Sequence, residues 1–546
     1  MLIAVSLAGL ACIIWAEHQL KSVAFVGFTT AGVAAMIFLL SRRLAFSLYA
    51  AWMLLAVITV VTYVKYKMDG VTLQVYDVAL VASDATIPIF LLTAYARYAI
   101  PLMAFVVAGF AILAAIAWFE EPREIHGVKR VLLVLLAAVT IPLSFPVEAT
   151  SNFYYMRPRY ASSFFVSLRD VGTFWSVPAI VKRLQAMPQE APYSPAFRCG
   201  DPGNRPDVVF IHAESAMPPS LMPAWGIGDA AMGDFRSDDR LVHKLGVETF
   251  GGGSWITTTN ILTGISGADF DWMRMRVTYK LQGRIGLSVP EILRQCGYNT
   301  AAVLGMDYDF FNMGPFLTSI GIENILDKSA IKRPSLEVRD RFYFNVVLDL
   351  IRKNRATSRK PLFIYVETMF AHSPYDQRRE PDAVVPGEPF SGDSETNEYL
   401  RRLALSRDDL SEFGKTLASD AGPRGFLMLE YGDHQPLVTR RNIKEDIGLE
   451  TPLTDWRSRE YATYFAVHSY GSAREIRMPV HERLDAVFVG YAFLQAAALA
   501  SDGIIGEIER LRIECDGHFH LCTDRKSVDK HLRRRMDSGL IDLTGM

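Results

Sequence analysis

The stretch Phe250–Gly264, FGGGSWITTTNILTG, crowds Ser254, Thr257, Thr258, Thr259 and Thr263 behind three glycines. An aliphatic hydroxyl is a poor nucleophile at neutral pH unless a base or a metal ion activates it. Candidates for that partner stand elsewhere: Glu214 in HAES, His372 in AHSPYD, and Asp433 and His434 in GDHQP. Adjacent Asp and His on a loop can offer an oxygen and a nitrogen to one ion, a mix that Zn²⁺ or Mn²⁺ accepts. The same five residues are also plausible turn chemistry. Taken together, Glu214, Asp433, His434 and one hydroxyl of the glycine-rich stretch make a four-ligand site rich in oxygen and nitrogen. A divalent ion there would stabilise an alkoxide and shield the charge of an incoming phosphate. The glycines allow close backbone approach, and the N-terminus of a helix over Trp255–Leu262 favours anions. This chemistry suits phosphoryl or sulfuryl transfer better than acyl transfer.

The elements that must position these groups follow from short apolar runs. Val208–Ile211, Thr300–Leu304, Leu362–Val366, Gly425–Leu429 and Thr463–Val467 read as strands buried on both faces. Helical spacing lies between them, over Val289–Cys296, Phe342–Lys353 and Tyr399–Ala418. The alternation predicts an α/β sandwich around a largely parallel sheet. In such sheets ligands bind beyond the carboxyl ends of the strands. Glu214, Glu367 and Glu430 each follow a strand, so three strands deliver acids or histidines to one rim.

The first quarter of the chain is a different material. Half of the 546 residues are apolar, mean hydropathy is +0.15, and the excess lies before about residue 148. A hydrocarbon core about 30 Å thick needs about 20 apolar residues per span. Five segments are read as spans: Leu2–Trp15, Val23–Leu40, Ala45–Val64, Ala99–Phe119 and Val131–Val147. Val78–Leu92 contains Asp84 and Pro88 and is expected as a re-entrant or surface helix. Arg42 and Arg43, then Arg123, Lys129 and Arg130, mark two loops as cytoplasmic. That arrangement puts the N-terminus inside and the chain after residue 148 outside. The expected organisation is a membrane domain over 1–148, juxtamembrane helices and a Pro-rich linker over 149–206, and a catalytic domain over 207–546. The net charge of −2 gives no field towards nucleic acid. Of five cysteines, Cys12 falls in a span. Cys515 and Cys522 suit a local disulfide, or a zinc site with His518 and His520.

The order of these motifs resembles the alkaline phosphatase/sulfatase superfamily: Glu after a first strand, a hydroxyl before a helix ending LTG, HSPYD, then GDH. In sulfatases the nucleophile stands nine residues before the Thr of a closing Thr-Gly, and 263 − 9 lands on Ser254. With the spans, YDVALVAS, GYNTAAVLG, FFNMGPFLTSIGIENILD and DSGLIDL, the chain looks like a membrane-anchored lipoteichoic acid synthase or periplasmic phosphoglycerol transferase. The resemblance implies transfer of glycerol phosphate from phosphatidylglycerol to a periplasmic glucan or other glycan, in a bacterial inner membrane. It implies Ser254 as nucleophile, and Glu214, Ser254, Asp433 and His434 around a divalent ion, Mn²⁺ first, with Mg²⁺ or Zn²⁺ compatible. His372 would contact the phosphate or leaving group, with Trp255, Thr257 and Phe311 lining the substrate. Two departures stand out. Ser254 replaces the usual Thr, and Leu304, Phe311 and Met313 stand where the family's glycerol-phosphate-binding side chains align. The alternatives are a phosphoethanolamine transferase, a phosphodiesterase or sulfatase, and a lipid-binding scaffold without activity. Asp376–Glu398 is read as a lid or a loop.

Overall fold

The computed structural model describes residues 2–17, 19–123, 127–146, 154–155, 157–175, 177–335, 338–440 and 456–544. The end of the fifth expected span, Val147, and residues 149–153 of the juxtamembrane stretch lie outside them. The chain forms two compact units, Met1–Ser176 and Val177–Met546.

In the first unit three described helices are long and apolar enough to cross a membrane: Leu20–Ser41, Leu44–Lys67 and Ala96–Phe119. By that measure this is a membrane protein. The N-terminal helix Leu2–Glu17 has 16 residues, about 24 Å at 1.5 Å per residue, shorter than a hydrocarbon core. Val75–Ala82 and Thr86–Thr93 meet at 102°, either a broken span or a re-entrant pair, so the described helices give three spans, or four if this pair is one. The bend falls at Asp84, whose carboxylate accepts from the Thr86 backbone N–H at 2.9 Å. Glu120 closes the start of the third helix, with its two oxygens accepting the N–H groups of Ala45 and Phe46, both at 2.8 Å. Those donors have no partner inside the helix.

Among the described residues the second unit carries ten strands: β1 (Arg198–Cys199), β2 (Asp207–Ala213), β3 (His243–Gly246), β4 (Asn299–Val303), β5 (Asn324–Leu326), β6 (Leu362–Glu367), β7 (Phe426–Gly432), β8 (Ala462–Tyr470), β9 (Leu484–Asp485) and β10 (Ala500–Ser501). β1 and β10 form a small ribbon, and the other eight form one sheet in the order β5-β4-β6-β2-β7-β8-β3-β9. Only β8 runs against its neighbours; every other pair in this sheet is parallel. The five expected strands form its centre, because each is a run of side chains buried on both faces. Along β2 the burial alternates sides: Val208 and Phe210 enter one core, Val209 and Ile211 the other. The short strands β3, β5 and β9 were not expected from the sequence. Disulfides join Cys199 to Cys296, across 97 residues, and Cys515 to Cys522. The latter pair is therefore a disulfide and not a zinc site, and His520 binds Glu248 instead at 2.7 Å.

Candidate active site

The parallel register places His212 beside Glu367 on one side and Tyr431 on the other, at the carboxyl ends of β2, β6 and β7. Just beyond, Ser215 turns the chain with φ 53, the left-handed region that non-glycine residues seldom occupy. That turn aims the Ser215 N–H at Asp433 Oδ1, 2.7 Å away. Gly432 makes the approach possible, since a Cβ there would lie 1.8 Å from the Ala216 carbonyl oxygen. The glycine-rich stretch closes the third side. Gly251 and Gly253 take φ 73 and 82, and Gly253 caps the helix Ser254–Thr263. Ser254 is its first residue, so its hydroxyl stands at the positive end of the helix.

Four of the expected ligands meet here. Ser254 Oγ lies 3.3 Å from Glu214 Oε2 and 3.4 Å from His434 Nε2. His434 Nε2 is 3.2 Å from Asp433 Oδ2 and 3.7 Å from Glu214 Oε1. A residue not counted as a ligand from the sequence joins them: His212 Nε2 is 3.1 Å from Asp433 Oδ2. Ligand atoms of His212, Glu214 and Asp433 all fall within 4.8 Å of one another, a spacing suited to one ion. The only signal for His212 was a histidine inside the apolar run DVVFIHA.

The donor set fits a cation. Asp433 Oδ2 is buried and accepts no hydrogen bond, although two imidazole nitrogens stand within 3.2 Å of it. Nitrogens and oxygens at these distances are close enough to share one ion. Among the described residues no Lys or Arg pairs with Glu214 or Asp433. Burial, with Asp433 beside it, pushes the Glu214 carboxyl up to about 7. Burial acts the same way on Asp433, but His434 and His212 outweigh it and hold that carboxyl below the usual range. Two carboxylates in one dry pocket repel, and a divalent charge relieves that.

The remaining expected residues take varied places. Thr257 is fully buried and donates its hydroxyl to the Asp433 carbonyl at 2.7 Å, so it braces the Asp433–His434 loop from inside, a place at odds with the expected substrate contact. Trp255 and Phe311 stack at 3.7 Å and 17°, both half-buried. Phe311 and Asn312 hold φ 46 and 58, while Trp255 Nε1 donates to the Met275 carbonyl at 3.1 Å. His372 Nδ1 faces the Ser373 carbonyl, and burial lowers its imidazole to about 4. Buried Arg402 carries this loop, donating to the carbonyls of His372 and Gln377 at 2.9 and 2.7 Å. Arg401 likewise holds the carbonyls of Arg379, Glu380 and Ala383, which pins the 376–398 segment along the helix Ser394–Ser419. Glu430 pairs with Arg407 at 3.0 Å, and Glu367 accepts from Tyr365 at 2.9 Å; neither is among the grouped ligand residues.

The sulfatase family profile matches residues 253–497, a range that holds Ser254, His372, Asp433 and His434. Over that range the chain is similar to the sulfatase family. Glu214 lies ahead of the matched range of the sulfatase-like domain. An uncharacterized protein of Haemophilus influenzae is 22% identical over 311 residues, 55% of this chain and 54% of that one, so the match spans about half of each. The lipooligosaccharide phosphoethanolamine transferase A of Neisseria meningitidis, an integral membrane protein, shares the fold across 90% of this chain and 96% of its own. The TM-score is 0.54 at 12% identity. The Streptococcus pyogenes phosphoglycerol transferase GacH, bound to sn-glycerol-1-phosphate, covers 61% of this chain and 87% of its own, with TM-score 0.46 and 15% identity. The lipoteichoic acid synthase LtaP from Listeria monocytogenes covers 58% and 77%, with TM-score 0.41 and 16% identity.

Proposed function

We propose that this chain is a membrane-anchored, metal-dependent phosphoglycerol transferase with Ser254 as its nucleophile. It would take glycerol phosphate from phosphatidylglycerol and give it to a periplasmic glucan or other glycan. The observation that carries the reading is the meeting of Ser254 Oγ with Glu214 and His434 beside an Asp433 oxygen that accepts no hydrogen bond. Glu214, Asp433, His434 and Ser254 would hold the ion, Mn²⁺ by preference, with His212 as a further candidate ligand. When bound, the cation supplies charge that acidifies the Ser254 hydroxyl and neutralises phosphate oxygens.

Ser254 Oγ attacks the phosphorus and loses its proton. The bond from phosphorus to the diacylglycerol oxygen breaks, and diacylglycerol leaves as the alcohol. An acceptor hydroxyl then attacks the phosphorus on Ser254, gives up its proton and restores the serine. The N-terminus of the helix Ser254–Thr263 favours the phosphate charge throughout. His372, kept neutral by burial with Nδ1 facing the Ser373 carbonyl, would contact the phosphate or the leaving group. Trp255 and Phe311 would offer an aromatic wall to the glycerol or glycan. The two disulfides and the basic loops support an extracytoplasmic domain on an inner membrane. Whole-chain likeness in fold to a phosphoethanolamine transferase makes the donor head group the question to test. The sulfatase alternative has less support, because Ser254-Trp255-Ile256-Thr257 lacks the Cys/Ser-x-Pro-x-Arg pattern matured to formylglycine.

The test uses the full chain in detergent with Mn²⁺ and labelled phosphatidylglycerol or phosphatidylethanolamine. Diacylglycerol from phosphatidylglycerol, with a phospho-adduct lost in Ser254→Ala, is the expected result. Turnover of phosphatidylethanolamine alone overturns the donor; no turnover of either overturns the reading.

A further inference from the structure

The last described helix, Arg525–Asp537, contributes one fully buried guanidinium. Arg535 Nη2 donates to the Thr263 carbonyl and Nη1 to the Gly264 carbonyl, both at 3.0 Å. Tyr491 OH stands 3.1 Å from the same Thr263 oxygen. These carbonyls end the helix that begins at Ser254. Among the described residues no carboxylate pairs with Arg535, and burial lowers its pKa. A buried cation without an acid is costly, and the negative end of a ten-residue helix is the group that offsets it here.

The Arg535 helix is also bound to the chain segment that precedes the sheet. Tyr193 OH and His531 Nδ1 lie 2.8 Å apart, Arg533 donates to the Leu184 carbonyl at 2.8 Å, and Asp537 accepts from the Glu190 N–H at 2.9 Å. The guanidinium is thus mounted on a fixed support and grips the far end of the Ser254 helix. Glu214, Asp433 and His434 follow other strands, so the distance from Ser254 to them depends on where this helix sits along its axis.

We infer that Arg535 is a positioning residue for Ser254, acting through the Ser254–Thr263 helix from its carbonyl end; this rests on Ser254 being the nucleophile. A displacement of about 1 Å at a reacting group can cost about 10²-fold in rate. Arg535→Met removes the buried donors of the Thr263 and Gly264 carbonyls and should also cost stability, so the rate is compared per folded molecule.

The experiment compares Arg535→Met and Arg535→Lys with the wild type in diacylglycerol release, melting temperature and amide exchange of residues 254–263. For Arg535→Met the inference expects kcat per folded molecule at least about 10-fold lower, KM for the lipid within about two-fold, a lower melting temperature, and faster exchange concentrated in that helix. Arg535→Lys, able to reach one carbonyl, should recover part of kcat and part of the protection. If either folded variant keeps wild-type kcat and wild-type exchange over 254–263, the inference is overturned. Should Arg535→Met fail to fold, Arg535→Lys and Tyr491→Phe decide by the same two readouts. Exchange needs no substrate: a wild type without turnover sinks the proposed function, while the helix data still judge the strut.

Discussion

Glu248 and Glu214 are both buried glutamates facing a histidine, and they are used in opposite ways. Glu248 Oε1 holds His520 at 2.7 Å, and Oε2 accepts from Asn260 and the Ala268 N–H at 3.1 and 3.0 Å. Burial pushes the Glu248 carboxyl up, yet His520 outweighs it and the net shift is downward. Trp456 lies stacked on the His520 ring at 4.3 Å. Every polar atom of this glutamate has a partner, and its charge is matched locally. Glu214 instead shares its pocket with a second carboxylate and two imidazoles, and burial drives its carboxyl up to about 7. A closed pair holds the fold together. A pocket of like charges gives up stability to keep a place for a cation.

Substitutions in the two places should therefore move different observables. The largest effect is expected at the open pocket: Ser254→Ala or Asp433→Asn should lower transfer activity by at least about 10³-fold, measured as diacylglycerol release. In the metal-free protein Glu214→Gln should raise the melting temperature, since it removes the carboxylate that burial and Asp433 disfavour; a fall would break the contrast. Next, Glu248→Gln should cost about 3–5 kcal/mol of unfolding free energy by stranding a buried partner, read by urea titration. Activity per folded molecule should stay near wild type. Removing the Cys199–Cys296 link by paired serines should cost about 2–4 kcal/mol, because it frees a long loop in the unfolded chain, and should leave metal content unchanged.

The smallest effect is a pH dependence at His531. Burial, with Arg535 and Arg534 nearby, lowers its pKa well below the ordinary value, and Tyr193 OH faces its Nδ1. The unfolded chain then binds more protons, so the contribution is fully present above about pH 6.5 and is lost as pH falls below it. Comparing the unfolding free energy of wild type and His531→Gln from pH 7.5 to 5.5 checks this: the wild-type slope should flatten in the variant. A slope of opposite sign would contradict it.

Legibility in the sequence followed from how much local pattern each feature carries. Val208–Ile211 and Leu362–Val366 announce themselves as apolar runs, and the residues after them face the rim because strand ends do. His243–Gly246 and Leu484–Asp485 form short strands of mixed polarity near one edge, with no run to detect. The reversed direction of β8 is not written in its composition, since either direction buries the same side chains. Glu214, Asp433 and His434 could be read because each stands just past a strand. His212 was passed over because its signal is one polar residue in an apolar strand, and its role depends on register with Tyr431 and Glu367. The Cys199–Cys296 pairing, unlike Cys515–Cys522, joins residues that only the folded chain brings together.

Gly432 sets a limit on what descendants of this chain can become. Any side chain there would collide with the Ala216 carbonyl, so no single substitution at that position is accommodated without moving the chain at Ala216. The stacked pair Trp255 and Phe311 is only half-buried, so variation in side-chain size can enter there while the turn at Gly432 is inherited unaltered.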